Sequence, residues 1–327
     1  MKQIIFILCL AACFNSFSLA ARAESRPKVG LVLGGGGAKG AAEVGILKVI
    51  EESGIPVDYV AGTSIGAIVG GLWASGYTAA QLDSMFRSQT WLTLLTDHNK
   101  NYQTKLYEEV DGVSYVLGFP IIRKSQGKPA RKGQYDWSTF GAIRGDNIST
   151  LLDSMTRHRN LRIPFRCVAV DVKTMSEVLL PTADISLPQS MRASMAIPGI
   201  FQPIRTGNQL LIDGGMLNNL PVDIVREMGA DIVIAVDLTQ EKHDPNDFSL
   251  KDLTGVGGLV DWVLSRPDRK KYATNRQQAD IYINPPLEGY DAASFSQSSI
   301  RRLIQLGEQA ARRHHTQLQQ LAHSLNR

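Results

Sequence analysis

Residues 28–40, KVGLVLGGGGAKG, decide the fold, because an apolar run leads there directly into four consecutive glycines. The run Val29–Leu33 is short and ended by glycine, which is typical of a strand covered on both faces. A loop with so few side chains offers its backbone N–H groups. Such groups bind anions: a phosphate, a pyrophosphate or the oxyanion of a reacting ester.

Helical and extended patterns alternate after this loop. Residues 41–52 have helical apolar spacing, residues 57–61 predict a second strand, and Ile65–Ala74 predicts a second helix. The pattern Thr78-x-x-Gln81 is a capping box that opens a third helix. This order predicts an α/β fold with a mainly parallel sheet. Later strands are predicted at residues 165–172, 177–180, 210–212, Ile232–Val236 and Ile281–Ile283, and an amphipathic segment at residues 298–325.

The N-terminus has the pattern of a secretory signal peptide. Lys2 precedes an apolar run, and Ala21-Arg22-Ala23 forms an A-x-A cleavage site. We therefore expect residues 1–23 to be removed on export to the periplasm, the outer membrane or the medium. An alternative interpretation is a lipoprotein box ending at Cys13. No later stretch reaches the ~18 apolar residues of a spanning helix.

Composition excludes some classes of protein. The chain has 327 residues, of which 43% are hydrophobic and 20% charged, as in ordinary globular proteins. Residues 1–23 contain Lys2 and Arg22 but no acid, so their removal lowers the net charge from +4 to +2. Such a small excess argues against nucleic-acid binding. Beyond the signal only Cys167 is left, so no intrachain disulfide can form.

Residues 123–133 form a basic segment. Its basic residues are Arg123, Lys124, Lys128, Arg131 and Lys132. We favour the interpretation as a solvated loop, because most charge runs are solvated. The alternative is a patch for anionic lipid headgroups beside the apolar residues 117–122.

The second strand-to-helix turn, Gly62-Thr63-Ser64-Ile65-Gly66, is a nucleophile elbow. In such an elbow the serine hydroxyl projects from the sheet edge, and glycines flank the serine because side chains would collide there. The helix that begins at Ile65 points its positive end at the reacting centre. The placement between a strand and a helix favours a catalytic serine over a chance match.

A serine nucleophile needs a base to take its proton. The sequence has six histidines, and only His243 follows a predicted strand. Asp213-Gly214-Gly215 is a stronger candidate, because an apolar strand there ends in an acid. Open α/β sheets carry their sites at the carboxyl ends of strands.

Three motifs together resemble the patatin-like phospholipase family, in the same order and with similar spacing: residues 35–40 (GGGAKG), 62–66 (GTSIG) and 213–215 (DGG). Residues 192–199 (RASMAIPG) and 218–222 (NNLPV) look like that family as well. The resemblance covers roughly residues 28–240. It implies a three-layer α/β/α sandwich. We expect a C-terminal helical part at residues 250–327, where the amphipathic segment lies. The signal peptide and the first motifs look most like exported bacterial members.

The resemblance also implies the chemistry and its residues. Ser64 would attack the ester carbonyl, Asp213 would be its base without a histidine, and the N–H groups of Gly36, Gly37 and Ala38 would hold the oxyanion. The family motifs also place Gly35, Lys39, Gly40, Gly62, Gly66, Gly214 and Gly215 at the site. The expected substrate is a phospholipid or another lipid ester, with possible peripheral membrane contact. No cofactor, metal or nucleic acid is implied.

Three alternatives stay open on the sequence alone. Gly35-x-Gly37-x-x-Gly40 with Asp58 would suit a dinucleotide-binding fold. Ser64, Asp213 and His243 have the chain order of an α/β-hydrolase triad. The third is a binding or scaffold protein that has kept the fold. Intact motifs make the last a minor possibility.

Overall fold

The computed structural model describes residues 26–97, 107–110, 113–116, 119–121, 141–240 and 269–326. Four predictions lie outside these residues: the signal peptide at 1–23, the lipoprotein box at Cys13, the basic segment at 123–133, and any role of His243.

The strands form one large sheet and two small ones. They are β1 (Val29–Leu33), β2 (Tyr59–Thr63), β3 (Tyr107–Val110), β4 (Val113–Val116), β5 (Phe119–Ile121), β6 (Gly141–Ile143), β7 (Phe165–Asp171), β8 (Ser176–Leu180), β9 (Gly199–Phe201), β10 (Ile204–Thr206), β11 (Gln209–Asp213), β12 (Ile232–Val236) and β13 (Ile281–Ile283). The large sheet follows the order β10-β11-β7-β2-β1-β12-β13, and β8 also pairs with β7. Its central strands β7, β2, β1, β12 and β13 are parallel.

Ten α-helices accompany the sheets in the described residues. They are α1 (Ala41–Ser53), α2 (Ile65–Ala74), α3 (Ala79–Ser88), α4 (Trp91–Leu95), α5 (Asp146–Thr156), α6 (Leu187–Ser194), α7 (Val222–Glu227), α8 (Arg269–Gln277), α9 (Gln297–Arg313) and α10 (His315–Leu325).

The large sheet separates two hydrophobic cores. Leu31 and Leu33 of β1 face the first core, which contains residues of α1 to α6, α9 and α10. Val32 faces the second core, where Val225 of α7 and Tyr272 of α8 pack. All five residues of β1 are buried because helices cover both faces. These three layers confirm the predicted α/β/α sandwich.

Two glycines let α1 and α9 touch backbone to backbone. A Cβ at Gly45 would lie 2.0 Å from the Ile304 oxygen, and one at Gly307 would lie 1.9 Å from the Ala42 oxygen. The C-terminal part is therefore packed directly on the helix that follows the glycine loop. It also contributes β13 to the sheet edge, so residues 250–327 are not purely helical.

Most predicted elements are present. The capping box at Thr78 and Gln81 opens α3, with both reciprocal bonds formed. The second strand was predicted at 57–61 and lies at Tyr59–Thr63, and the amphipathic segment 298–325 is interrupted at His314. The short strands β3 to β6, β9 and β10 were not predicted, because three or four residues carry little pattern, although the equally short β13 was.

The register on β7 brings two strand ends together. β8 pairs with residues 167–171 of β7, so β2 and β11 must share the other side of that strand. There β2 ends with Thr63 opposite Val168, and β11, which runs antiparallel to β7, ends with Asp213 opposite Ala169. The two strands therefore meet end to end, and the residues that follow them are neighbours.

Candidate active site

Ser64 occupies the predicted elbow between β2 and α2. Its backbone has φ 57° and ψ −122°, a conformation that costs a non-glycine residue about 1–3 kcal/mol. A Cβ at Gly62 would lie 2.4 Å from the Gly66 oxygen, and one at Gly66 would lie 2.2 Å from the Leu33 oxygen. The two flanking glycines are thus required by space, as the elbow motif predicts.

Asp213 contacts the serine directly. The Ser64 hydroxyl donates to Asp213 Oδ2 at 2.7 Å, and the Gly215 N–H donates to Asp213 Oδ1 at 2.8 Å. Ser64 is 2% exposed and Asp213 is fully buried. Both carboxyl oxygens are therefore fixed by a hydrogen bond, one from the candidate nucleophile and one from the backbone.

Burial sets the protonation of this acid. Removal from water raises the pKa of Asp213 to about 7, although the bonds from Ser64 and the Gly215 amide work in the opposite direction. Neither of those donors carries a charge, so they offset only part of the cost of burying a carboxylate. The pKa of the carboxyl accordingly lies in the range that suits a base at neutral pH.

The glycine loop crosses the same edge of the sheet. The Gly34 N–H donates to the Val236 oxygen at 3.0 Å and the Gly35 N–H to the Asn219 oxygen at 3.2 Å, which ties the loop to its neighbours. The N–H groups of Gly36 and Gly37, at the start of a short 3-10 helix, have no hydrogen-bond acceptor within the described part of the chain.

Ala38 differs from the other two predicted oxyanion donors. Its N–H donates to the Ala292 oxygen at 2.9 Å. A Cβ at Gly37 would lie 2.4 Å from the same oxygen, so the segment around Ala292 lies directly on the loop. In this structure two of the three predicted amides are available for an oxyanion, and the third is engaged.

The remaining motif residues support the loop and the elbow. A Cβ at Gly40 would lie 2.3 Å from the Ile65 side chain, and one at Gly214 would lie 2.2 Å from the Val168 oxygen. Lys39 is buried, and its N–H donates to the Gly36 oxygen at 3.2 Å. These glycines permit the close packing that brings the three motifs to one place.

Sequence reasoning missed the residues that connect the motifs. The Asn219 side-chain amide donates to the Gly35 oxygen at 3.2 Å, and the Thr63 hydroxyl donates to the Asn218 oxygen at 2.8 Å. The pair Asn218-Asn219 thus anchors both the elbow strand and the glycine loop. Its family-like sequence was visible, but nothing in that pattern indicated a role.

Asp58 lies at the amino-terminal end of β2, whereas Ser64 follows its carboxyl-terminal end. It precedes β2 and bonds Arg26, Lys28 and the Val29 N–H. Five residues of extended strand, about 16 Å, separate it from the elbow edge. A ribose-binding acid must lie near the glycine loop. Asp58 is therefore not placed to be the ribose-binding acid of the dinucleotide interpretation.

The described residues provide neither a histidine nor a group of metal ligands at this site. The described histidines, at positions 158, 314, 315 and 323, make no hydrogen bond to Ser64 or Asp213. Within the same ranges, no three His, Cys, Asp or Glu side chains are grouped as a metal site would require. None of the described helices combines the length and the apolar character of a bilayer span.

Comparison with known proteins agrees with this geometry. The Drosophila melanogaster protein "Neuropathy target esterase sws" is 33% identical over 304 residues, 86% of this chain and 19% of that protein. "Lysophospholipase NTE1" of Eremothecium gossypii is 28% identical over 316 residues, 86% of this chain and 18% of that protein. This chain thus spans about a fifth of the length of these relatives.

A solved structure shares the fold. VipD from Legionella pneumophila superposes with a TM-score of 0.51 and 16% identity, over 92% of this chain and 67% of that one. The family model described as "Patatin-like phospholipase" matches residues 31–226, a range that contains the glycine loop, the elbow and Asp213. The chain belongs to the patatin-like phospholipase family.

Proposed function

We propose that this protein is a lipid acyl hydrolase of the phospholipase A or lysophospholipase type. It cleaves carboxylic ester bonds with Ser64 as nucleophile and Asp213 as base. One observation carries the proposal: the 2.7 Å hydrogen bond from the strained elbow serine to a buried aspartate whose pKa is raised to about 7. Membership of the patatin-like phospholipase family and the similarity to a lysophospholipase support the same reaction.

The proposed reaction has two halves. Ser64 Oγ attacks the ester carbonyl while its proton passes to Asp213 Oδ2, and the alcohol portion of the lipid leaves with that proton. The fatty acyl group is then esterified to Ser64. A water molecule gives a proton to Asp213 and attacks the acyl ester, which releases the fatty acid and returns the proton to Ser64.

The glycine loop would stabilise the negative charge of each tetrahedral intermediate. The N–H groups of Gly36 and Gly37 are the proposed donors, since neither has another acceptor among the described residues. Ala38 would join them only when its bond to the Ala292 oxygen opens. Donors of this kind contribute about 3 kcal/mol each to transition-state stabilisation in other hydrolases.

Direct contact between serine and aspartate favours a dyad over the triad with His243. In a triad the imidazole stands between the two, and the acid bonds the imidazole rather than the serine. Here Asp213 Oδ2 already accepts the serine proton, and Oδ1 is occupied by the Gly215 N–H. Both members of the proposed dyad thus lie within hydrogen-bond distance of each other.

Export and membrane contact belong to the same proposal. The N-terminal signal pattern and the A-x-A site at residues 21–23 support export of the enzyme from the cytoplasm. Its substrate would then be a lipid of a membrane surface, which the enzyme meets as a peripheral protein.

The test measures fatty acid released from phospholipid and lysophospholipid vesicles by residues 24–327. Ser64→Ala, Asp213→Asn and His243→Ala variants are compared with the unchanged protein. We expect the first two variants to lose release by more than about a thousandfold and His243→Ala to keep it. Loss of release with His243→Ala would replace the dyad by a triad. Release that survives Ser64→Ala would overturn the proposed nucleophile.

A further inference from the structure

Residues 192–199 are family-like in sequence, yet none of them takes part in the proposed reaction. We propose that the turn Ser194-Met195-Ala196, at the end of α6, is the positioning element of the Ser64–Asp213 pair, with Ser194 as its positioning residue. The inference rests on the proposed function, because it concerns the alignment of those two catalytic residues.

The turn holds the backbone of both. The Ser194 hydroxyl accepts a hydrogen bond from the Ser64 N–H at 2.9 Å and donates to the Val168 oxygen at 2.6 Å. The Ala196 oxygen accepts a hydrogen bond from the Asp213 N–H at 2.9 Å. Nucleophile and base are therefore attached to residues only two positions apart in the chain.

The Ser194 hydroxyl lies where the pairing between β2 and β7 ends. The Val60 N–H of β2 donates to the Pro164 oxygen, beside β7, at 3.0 Å. Donors recur every second residue in a parallel ladder, so the Ser64 N–H would come opposite the Val168 oxygen. Those two groups are not bonded directly, because the Ser194 hydroxyl lies between them and bonds each.

This inserted hydroxyl explains how the serine leaves the sheet. Ser64 turns to φ 57° where the ladder of β2 stops, yet its N–H and the Val168 oxygen both keep a partner. Without the hydroxyl, either the N–H would be buried without an acceptor or the serine would relax toward β7. Relaxation would change the hydrogen-bond geometry between Ser64 Oγ and Asp213 Oδ2, and the proposed proton transfer requires that geometry.

Every group of this bridge is shielded from water. Ser194 and Asp213 are fully buried, and Ser64 is 2% exposed. Water therefore has little access to replace a missing hydroxyl. The hydroxyl is a small group, so its removal leaves the packing of α6 almost unchanged.

The matched control lies one turn earlier on the same helix. Ser190 is also fully buried, and its hydroxyl bonds the Ser186 oxygen at 2.8 Å without contact to a catalytic residue. Ser190→Ala and Ser194→Ala both remove one buried hydroxyl from α6. Only the second removes a contact to Ser64.

The experiment measures kcat, KM and thermal unfolding for Ser194→Ala, Ser190→Ala and Ser194→Cys. The cysteine puts a somewhat larger, weakly hydrogen-bonding thiol in the place of the hydroxyl. We expect kcat to fall by about 10- to 100-fold in Ser194→Ala, and less in Ser194→Cys, with KM within about twofold. Ser190→Ala should keep kcat, whatever its change in melting temperature.

A second measurement separates this inference from the proposed function. A fluorophosphonate labels an activated serine through attack of Oγ on phosphorus with loss of fluoride, and lipid is not needed. We expect Ser194→Ala to be labelled more slowly than Ser190→Ala by the same factor as kcat. Equal labelling and equal kcat in these two variants would overturn the positioning role, although wild-type lipolysis would still stand. A wild-type protein with neither lipolysis nor labelling would overturn both proposals.

Discussion

Two aspartates lie at opposite ends of the strands of the central sheet, and their hydrogen-bond donors differ in charge. Asp58, before β2, accepts hydrogen bonds from the cationic groups of Arg26 and Lys28 and from the Val29 N–H. Asp213, at the end of β11, accepts hydrogen bonds from a hydroxyl and an amide among the described residues. The same residue type is thus a carboxylate held by cations at one end of the strands and a buried carboxyl with a pKa of about 7 at the other.

The difference teaches what makes an acid a base. Hydrogen bonds from Arg26, Val29 and Lys28 lower the pKa of Asp58, against a burial effect that raises it. At Asp213 burial is the dominant effect and raises the pKa to about 7. A carboxylate stabilised by cations has little tendency to take a proton, whereas one held by neutral donors can take it from a serine.

The largest expected effect is on turnover. Asp213→Asn should lower kcat by about 10⁴-fold, because an amide cannot accept the serine proton. Asp58→Asn, a matched change at the other edge, should leave kcat within about threefold of wild type. Steady-state kinetics on lysophospholipid measures both. Equal losses in the two variants would mean that the aspartates affect activity through stability alone.

The pH dependence of stability should have opposite signs at the two edges. Asp213 has a raised folded pKa, so its neutral form stabilises the fold below about pH 4, and this is lost as the pH rises to about 7. The loss is on the order of 4 kcal/mol, and Asp213→Asn should abolish it. Asp58 has a lowered folded pKa, so its contribution is present above about pH 4 and is lost on acidification.

Urea unfolding of wild type and both variants from about pH 2 to pH 8 measures these contributions. Asp213→Asn should be more stable than wild type at pH 8 and equal to it at pH 4. Asp58→Asn should be less stable at pH 7 by about 1 kcal/mol. A wild-type stability that rises steadily from pH 4 to pH 8 would contradict the assignment to Asp213.

Two glycines with positive φ allow a similar comparison, one inside the candidate active site and one outside it. Gly37 in the catalytic loop has φ 58° and Gly54 at the end of α1 has φ 66°, so alanine costs about 1–2 kcal/mol of backbone strain at each. A Cβ at Gly37 would lie 2.4 Å from the Ala292 oxygen, while nothing lies within 4 Å at Gly54.

We therefore expect Gly37→Ala to lower kcat by about 100-fold, because it displaces an oxyanion donor. Gly54→Ala should lower only the melting temperature. Kinetics and thermal unfolding of the two variants distinguish these outcomes. Unchanged kcat in folded Gly37→Ala would remove this loop from the proposed oxyanion site.

The pH profile of the wild-type enzyme tests the pKa of Asp213 without any substitution. Asp213 must be ionised to accept the serine proton, so kcat/KM should rise about tenfold per unit below pH 7 and level off above it. A non-ionising ester substrate measured from pH 5 to pH 9 gives the midpoint. A midpoint near pH 4 would show a base with the pKa of an ordinary aspartate.

The sequence by itself determined the local elements and the identity of the candidate catalytic residues. The strand ended by glycines, the elbow around Ser64 and the capping box at Thr78 depend on contacts within a few residues, so their patterns are legible in the chain. Asp213 was also predicted as the base, and the structure corrects the reason for that prediction. It was expected at the carboxyl edge of a parallel sheet, whereas β11 runs antiparallel to β7 and meets β2 end to end.

Only the tertiary structure decided how these residues cooperate. The register on β7, the hydroxyl of Ser194 between Ser64 and Val168, and the bond of Ala38 to Ala292 all join residues that lie far apart in the sequence. Such contacts follow from strand pairing and burial, which leave no periodic pattern in the sequence. The pKa of Asp213 belongs to the same class, because it results from the removal of water by the assembled core around it.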